Sequence, residues 1–89
     1  MLDGSYRDAM TSPPDWELVD AALERTFPFP NFVDALAFAN RVGELAETQN
    51  HHPELTVSWG AVKVRWSTHT AGGVTDLDVA MAERCAALV

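Results

Sequence analysis

Residues 50–69 read NHHPELTVSWGAVKVRWSTH, and this stretch decides the fold. Apolar residues occupy every second position on both sides of Gly60: Leu55, Val57 and Trp59 before it, and Val62, Val64 and Trp66 after it. A period of two is typical of strands that bury one face. The stretch therefore predicts a β-hairpin, flanked by histidines at both ends.

The pairing of the two strands follows from the length of the turn. A two-residue turn at Gly60-Ala61 is the favoured short hairpin connection. It places the apolar residues opposite one another, as the pairs Trp59 with Val62, Val57 with Val64, and Leu55 with Trp66. The same register sets Thr68 opposite Pro53 and His69 opposite His52, so we expect the two groups of histidines to meet at the open end of the hairpin.

A helix precedes the hairpin. Asn31 is a suitable N-cap after Pro30, and the residues from Phe32 to about Gln49 have helical periodicity. Asn50 suits a left-handed C-cap, which ends the helix at the histidines. The predicted buried stripe contains Phe32, Leu36, Ala39, Val42 and Ala46, widened by Ala35, Phe38 and Leu45.

A second helix follows the hairpin. Thr75 and Asp78 have the spacing of a capping box, in which the acidic side chain at the third helical position bonds back to the cap. Its predicted buried stripe contains Leu77, Ala80, Met81, Cys85 and Leu88.

Two short strands, Trp16 to Asp20 and Ala22 to Phe29, are predicted around a turn at Asp20-Ala21. A helix over residues 15–25 is the alternative, because alanine, leucine and glutamate favour helices. The order ββαββα predicts an α+β fold with a four-stranded antiparallel sheet and helices packed on one face. Residues 15–89 form a single domain in this interpretation, and residues 1–14 form a loose tail or a short docking segment.

Composition limits the possible functions of the chain. The 89 residues are 47% hydrophobic and carry a net charge of −7, with only six lysines and arginines. This charge argues against direct nucleic-acid binding. The single cysteine, Cys85, excludes an internal disulfide, and no apolar run or signal peptide points to a membrane. We expect a cytoplasmic domain that gains stability by forming oligomers, because so short a chain has a small core.

The three histidines are His51, His52 and His69. Histidine exchanges protons near neutral pH, so a convergent set indicates an acid/base site or a metal site. A structural role is the alternative for His51 and His52, which follow the negative end of a helix dipole, and His69 alone would be an ordinary surface residue. Metal is disfavoured because adjacent histidines aim poorly at one ion. Cys85 lies on an apolar stripe and is interpreted as core.

These residues carry a specific resemblance. The series Glu47-Thr48-Gln49-Asn50-His51-His52-Pro53, followed at fixed spacings by Trp59, His69 and Asp78, resembles the signature of the pterin-4a-carbinolamine dehydratases. The stretch from Phe27 to Phe32, with Ala35, Phe38 and Ala46, is similar to the strand-to-helix segment of that family. The likeness runs from about Trp16 to the C-terminus. Asn50 replaces a frequent acidic residue, Leu55 replaces an aromatic of some members, and the N-terminal helix of longer members looks shortened or absent.

The resemblance implies dehydration of a 4a-hydroxytetrahydropterin to the quinonoid dihydropterin, with no metal or redox cofactor. It implies His51, His52 and His69 as an acid/base set, with His51 and His52 on one side of the pterin and His69 on the other. Pro53, Thr68, Thr70 and Ala71 would join the histidines in lining the substrate pocket. Glu47 and Asp78 would orient histidines, with Glu47 one helical turn before His51.

The resemblance also implies partners. Members of the family form homodimers or homotetramers, and some bind a transcription factor through a helical surface. A non-catalytic interaction module of the same fold is therefore the alternative function, and a metal-binding domain is a third.

Overall fold

The structure, a computed structural model, describes residues 13–89. Its elements are β1 (Glu17–Val19), β2 (Ala22–Pro28), α1 (Phe32–Gln49), β3 (Glu54–Ser58), β4 (Ala61–Trp66), a 3-10 turn (His69–Ala71) and α2 (Asp76–Ala86). The strands form one antiparallel sheet in the order β1-β2-β4-β3. The α+β layout predicted from the element order is confirmed.

The first hairpin turns at Asp20 and Ala21, as predicted. Val19 pairs with Ala22, and the two residues between strand pairs, Asp20 and Ala21, have φ angles of 49° and 64°. Positive φ at both central positions defines a type I′ turn, whose twist matches that of the flanking strands. The strand pair therefore prevails over the alternative helix.

Both ends of α1 form as the sequence predicts. The Asn31 side chain accepts a hydrogen bond from the Asp34 backbone N–H at 2.8 Å. At the other end Asn50 is left-handed, with φ 49° and ψ 41°. The backbone N–H of His51 donates to the Ala46 carbonyl at 3.2 Å and that of Asn50 to Glu47 at 3.4 Å, which is the Schellman arrangement. This turn fixes where the histidine doublet leaves the helix.

The core lies between one face of the sheet and the two helices. Its largest fully buried side chains are Trp66, Phe27, Phe38, Leu23 and Met81. Cys85 belongs to this core, and burial raises the pKa of its thiol to about 11. The thiol is therefore a packed apolar group near neutral pH.

Four residues of the predicted stripes are exposed. Phe32 and Leu36 on α1 are 44% and 43% exposed, Leu77 on α2 is 41% exposed, and Ala80 is also exposed. The side chains that α1 buries are Ala35, Phe38, Ala39, Val42 and Ala46. The sheet covers this narrower stripe, and the apolar residues on its flank stay partly in solvent.

The predicted register of the second hairpin is wrong by two residues. The turn is Trp59-Gly60 rather than Gly60-Ala61, so Val57 pairs with Val62 and Leu55 with Val64. Because a slip of two residues leaves every side chain on its own face, alternation could not distinguish the two registers. Trp59 leaves the sheet and is 71% exposed. His52 and His69 are therefore not the opposed pair that the sequence predicted.

The predicted tail lies mostly outside the described residues, as does any N-terminal helix within residues 1–12. Of its last two residues, Pro13 is buried, and its carbonyl accepts from the Trp16 backbone N–H at 3.2 Å in a turn before β1. Within residues 13–89, neither helix combines the length and apolar character needed to cross a membrane.

The β1–β2 turn yields a stability prediction. Ala21 has a left-handed backbone conformation, which is unfavourable for a residue with a Cβ atom. Replacing it with glycine removes this strain but increases the conformational entropy of the unfolded chain, and we expect a net stabilisation of about 0.5–1 kcal/mol. Ala80→Gly, also at an exposed alanine but inside α2, should destabilise by about 1 kcal/mol. Urea unfolding of both variants measures the difference. Equal destabilisation by the two glycines would contradict the strain assigned to the turn.

Candidate active site

The site is organised around Asp78, a fully buried carboxylate in the first turn of α2. Its Oδ1 atom lies 2.6 Å from Nε2 of His51. Its Oδ2 atom accepts from the Thr68 hydroxyl at 2.7 Å, the Thr75 backbone N–H at 2.8 Å and the Thr75 hydroxyl at 3.2 Å. A buried carboxylate is tolerated only when its oxygens are satisfied in this way. Asp78 thus joins the start of α2 to the segments that precede β3 and follow β4.

His51 is the anchored member of the histidine doublet. Its side chain is 14% exposed, and its ring stacks on Trp66 with centroids 5.8 Å apart and planes 17° apart. With Nε2–H donating to Asp78, the neutral ring keeps Nδ1 as its acceptor atom. A carboxylate that fixes the tautomer of a histidine in this way also fixes the direction of the ring.

His52 has a different environment. Its Nε2 atom lies 2.6 Å from Oε2 of Glu47, and the two side chains are 55% and 76% exposed. Glu47 was expected beside His51, and the structure places it against His52 instead. The two adjacent histidines therefore differ in burial, with His51 against Asp78 and Trp66 and His52 beside an exposed glutamate.

His69 begins the 3-10 turn that follows β4. Thr68 pairs with Gly73 across this loop through backbone bonds of 2.8 Å and 3.3 Å. Gly72 has a φ of 72°, and its N–H donates to the His69 carbonyl at 3.1 Å. The left-handed glycine closes the loop and positions an exposed histidine at its start.

A cavity of about 720 Å³ lies where these segments meet. Four of the residues predicted to bind substrate line it: His52, Pro53, Thr68 and His69. The remaining predicted site residues are outside its lining: His51, Thr70, Ala71, Glu47 and Asp78. The cavity therefore brings together one histidine from each end of the second hairpin, while His51 is not among its lining residues.

The cavity wall also contains charged residues outside the predicted acid/base and substrate-binding sets: Arg65, Glu54 and Asp20. Arg65 Nη1 donates to Glu24 Oε1 at 2.6 Å, and Nε donates to Glu54 Oε1 at 3.1 Å. The hydrogen bond to Glu24 is the main cause of the raised pKa of Arg65. In the sequence Arg65 lies between the apolar positions Val64 and Trp66, and the alternation gives no signal that this face of β4 borders the cavity.

In the described part of the chain, no three or more His, Cys, Asp or Glu side chains are grouped so that they could hold a metal ion. The site instead presents imidazole rings, each of the doublet beside one carboxylate.

Comparison with known proteins identifies the family. The model of the family "Pterin 4 alpha carbinolamine dehydratase" matches residues 3–88. The chain belongs to this family. The match confirms the resemblance carried by the histidine signature.

Relatives of this dehydratase family cover most of the chain. A protein from Chlorobium limicola whose name assigns it to the pterin-4-alpha-carbinolamine dehydratases is 54% identical over 79 residues, covering 84% of this chain and 70% of its own. A protein of the same name from Thermomicrobium roseum is 43% identical over 86 residues, covering 97% and 92%.

Solved structures share the fold. The transcriptional coactivator/pterin dehydratase from Brucella melitensis superposes with a TM-score of 0.84 at 34% identity, covering 98% of this chain and 96% of that one. A pterin dehydratase-like protein described as a RuBisCO assembly factor of the alpha-carboxysome has a TM-score of 0.67 at 22% identity, covering 82% and 84%. The second likeness concerns the fold alone.

The buried carboxylate yields a prediction for this dehydratase-family site. Asp78→Asn removes the charge that four donors surround, and we expect a loss of about 2–3 kcal/mol of unfolding free energy. Asp76→Asn, in the same helical turn but exposed, should lose about 0.5–1 kcal/mol through the helix dipole alone. Chemical denaturation of the two variants compares them. Similar losses would show that Asp78 does not anchor the site.

Proposed function

We propose that the protein is a dehydratase of 4a-hydroxytetrahydropterins. The observation that carries the proposal is the convergence of His52 and His69 on one cavity, in a chain that belongs to the pterin-4a-carbinolamine dehydratase family. Two histidines from different segments of the chain can act on different atoms of one bicyclic substrate. The cavity volume of about 720 Å³ is within the range of small-molecule sites.

The reaction balances with two proton transfers. An acid donates a proton to the hydroxyl at C4a, the C4a–O bond breaks, and water leaves. A base removes the proton from N5, and the electron pair of that N–H bond completes a C4a=N5 double bond in the quinonoid dihydropterin. The elimination is neither an oxidation nor a reduction of the substrate. It is balanced by one proton donated by an acid and one proton taken by a base.

The three histidines form the proposed acid/base set. His52 and His69 act from the cavity walls, and Glu47 orients His52 through the contact of 2.6 Å. His51 is part of the set through its partly exposed ring, with Asp78 fixing the tautomer that leaves Nδ1 as the acceptor.

Four further residues bind the substrate in this proposal: Pro53, Thr68, Thr70 and Ala71. Pro53 and Thr68 line the cavity, and Thr70 and Ala71 continue the 3-10 turn from His69. These short side chains leave room for a ring system beside the histidines.

The test measures dehydration of a synthetic 4a-hydroxytetrahydropterin. We expect His52→Ala and His69→Ala each to lower the rate by about 10² to 10⁴, the usual contribution of a general acid or base. His51→Ala should lower it as well, and Asn40→Ala, on the exposed side of α1, is the control. A wild-type rate no greater than that of the uncatalysed reaction would refute the proposal.

We also propose that the chain forms a homodimer or a homotetramer. Three apolar residues on the first two turns of α1 are exposed: Phe32 at 44%, Val33 at 74% and Leu36 at 43%. Their spacing puts apolar groups next to each other on the helix surface, and burying them in a second copy would extend a small core.

The mass in solution tests this association. Val33→Asp puts a charge into the apolar surface of α1, and we expect it to shift the protein to the monomer in analytical ultracentrifugation. Leu18→Asp makes the same change at a residue of β1 that is 51% exposed, and it should leave the mass unchanged. A monomeric wild-type protein would contradict the proposal.

The same surface supports the second candidate function, a protein-interaction module. The Brucella melitensis protein is described as both a transcriptional coactivator and a pterin dehydratase, so one fold carries both descriptions. This alternative predicts that the chain has no dehydratase activity and binds a partner protein through the exposed surface of α1.

A further inference from the structure

Two charged side chains of the cavity wall have no place in the proton transfers. Arg65 and Glu54 both line the cavity that contains His52 and His69. They lie on neighbouring strands as a directly opposed pair, and Arg65 Nε donates to Glu54 Oε1 at 3.1 Å. The wall thus presents a hydrogen-bond donor group and an acceptor group side by side.

The two partners of Arg65 differ in how firmly they hold it. Glu24 is 22% exposed and binds Nη1 at 2.6 Å, and the same Nη1 also donates to the Val19 carbonyl at 3.3 Å. Glu54 is 72% exposed. Because ion pairs this exposed contribute about 0–1 kcal/mol, Glu54 adds little to the fold. Arg65 is therefore the fixed member of the pair and Glu54 is the adaptable one.

Glu54 also has free bonding capacity. Only its Oε1 atom receives a hydrogen bond from the residues that the structure describes, and Oε2 receives none. A carboxylate binds best to two parallel N–H donors, one for each oxygen. Glu54 can accept such a pair from a molecule in the cavity.

We propose that Glu54 and Arg65 recognise the 2-amino-4-oxo pyrimidine edge of the substrate, an inference that rests on the proposed function. That edge presents N3–H and the 2-amino group as adjacent donors, with the C4 carbonyl oxygen beside them as an acceptor. Glu54 accepts from the two donors as it would from a guanidinium, and Arg65 donates to the carbonyl oxygen.

This binding mode also orients the substrate. C4a joins the pyrimidine to the second ring and N5 belongs to that second ring, so anchoring the 2-amino-4-oxo edge leaves both atoms towards the rest of the cavity. His52 is two residues before Glu54, and His69 lines the same cavity. Recognition and proton transfer are thereby assigned to different residues of one cavity.

The test compares two stable ligands that differ at one position. 7,8-Dihydropterin carries the 2-amino group, and 7,8-dihydrolumazine has an oxygen in its place. We expect the wild-type protein to bind dihydropterin about tenfold or more tightly than dihydrolumazine. In the dihydrolumazine complex the Glu54 carboxylate would face the 2-oxo oxygen, which offers it no hydrogen-bond donor. Glu54→Gln should remove most of this preference by weakening dihydropterin binding, since glutamine offers one acceptor and a competing N–H donor.

Matched variants isolate the effect of Glu54. Glu44→Gln makes the same charge change on the exposed surface of α1, outside the cavity lining, and it should keep the preference. The substitution is made at Glu54 rather than at Arg65 because Arg65 also binds Glu24 of β2 and the Val19 carbonyl at the end of β1. Unfolding curves of the glutamine variants verify that both are folded.

The outcomes separate this inference from the proposed function. An unchanged preference in Glu54→Gln overturns the inference even if the wild-type protein dehydrates its substrate. Loss of the preference in Asp20→Asn but not in Glu54→Gln also overturns it, by moving recognition to the other carboxylate of the cavity. Glu54-dependent binding without dehydration supports the inference and refutes the dehydratase. Absence of any ligand binding overturns the inference.

Discussion

The burial of the Asp78 carboxylate is the constraint on which the rest of the site depends. A fully buried charge is costly unless donors surround it, and the donors here come from three separate segments of the chain. Thr75 belongs to the start of α2, Thr68 follows β4, and His51 follows α1. Each of the three segments must be correctly placed before the carboxylate is satisfied. Correct packing of these three segments around Asp78 therefore also assembles the site.

The turn at Asn50 determines what the two adjacent histidines can do. Its left-handed backbone ends α1, so the chain leaves the helix at His51. After this turn one ring lies against Asp78 and Trp66, and the other lies beside Glu47 at the cavity. A single His-His doublet thus supplies both an anchored ring and an accessible one. His51, the first of the two, is the more buried ring, and His52 is the exposed one.

Much of the fold was predictable because its signals are local. The left-handed turn at Asp20-Ala21, the caps of α1 and the alternation of β3 and β4 each depend on a few neighbouring residues. The register of β3 and β4 was not predictable, since both registers keep the same faces apolar. The turn that forms places Trp59 outside the sheet, a choice that apolar pairing alone argues against.

The site, too, was predictable only where its signals are local. The histidine signature selected the family, but it did not show that Glu47 pairs with His52 or that the cavity excludes His51 from its lining. The sequence pattern gave Arg65 no role, because the cavity that it lines depends on contacts between segments far apart in the sequence.

Rigid and accessible groups are separated in this site, and energetics explains the separation. The buried contacts of Asp78 stabilise the fold and hold His51 in one orientation. The exposed pair of His52 and Glu47 contributes about 0–1 kcal/mol at most, so its partners are free to separate and meet a substrate. A group that must gain and lose a proton needs contact with solvent or substrate, and a group that fixes geometry needs burial. The fold meets both requirements by giving two adjacent histidines different partners and different burial.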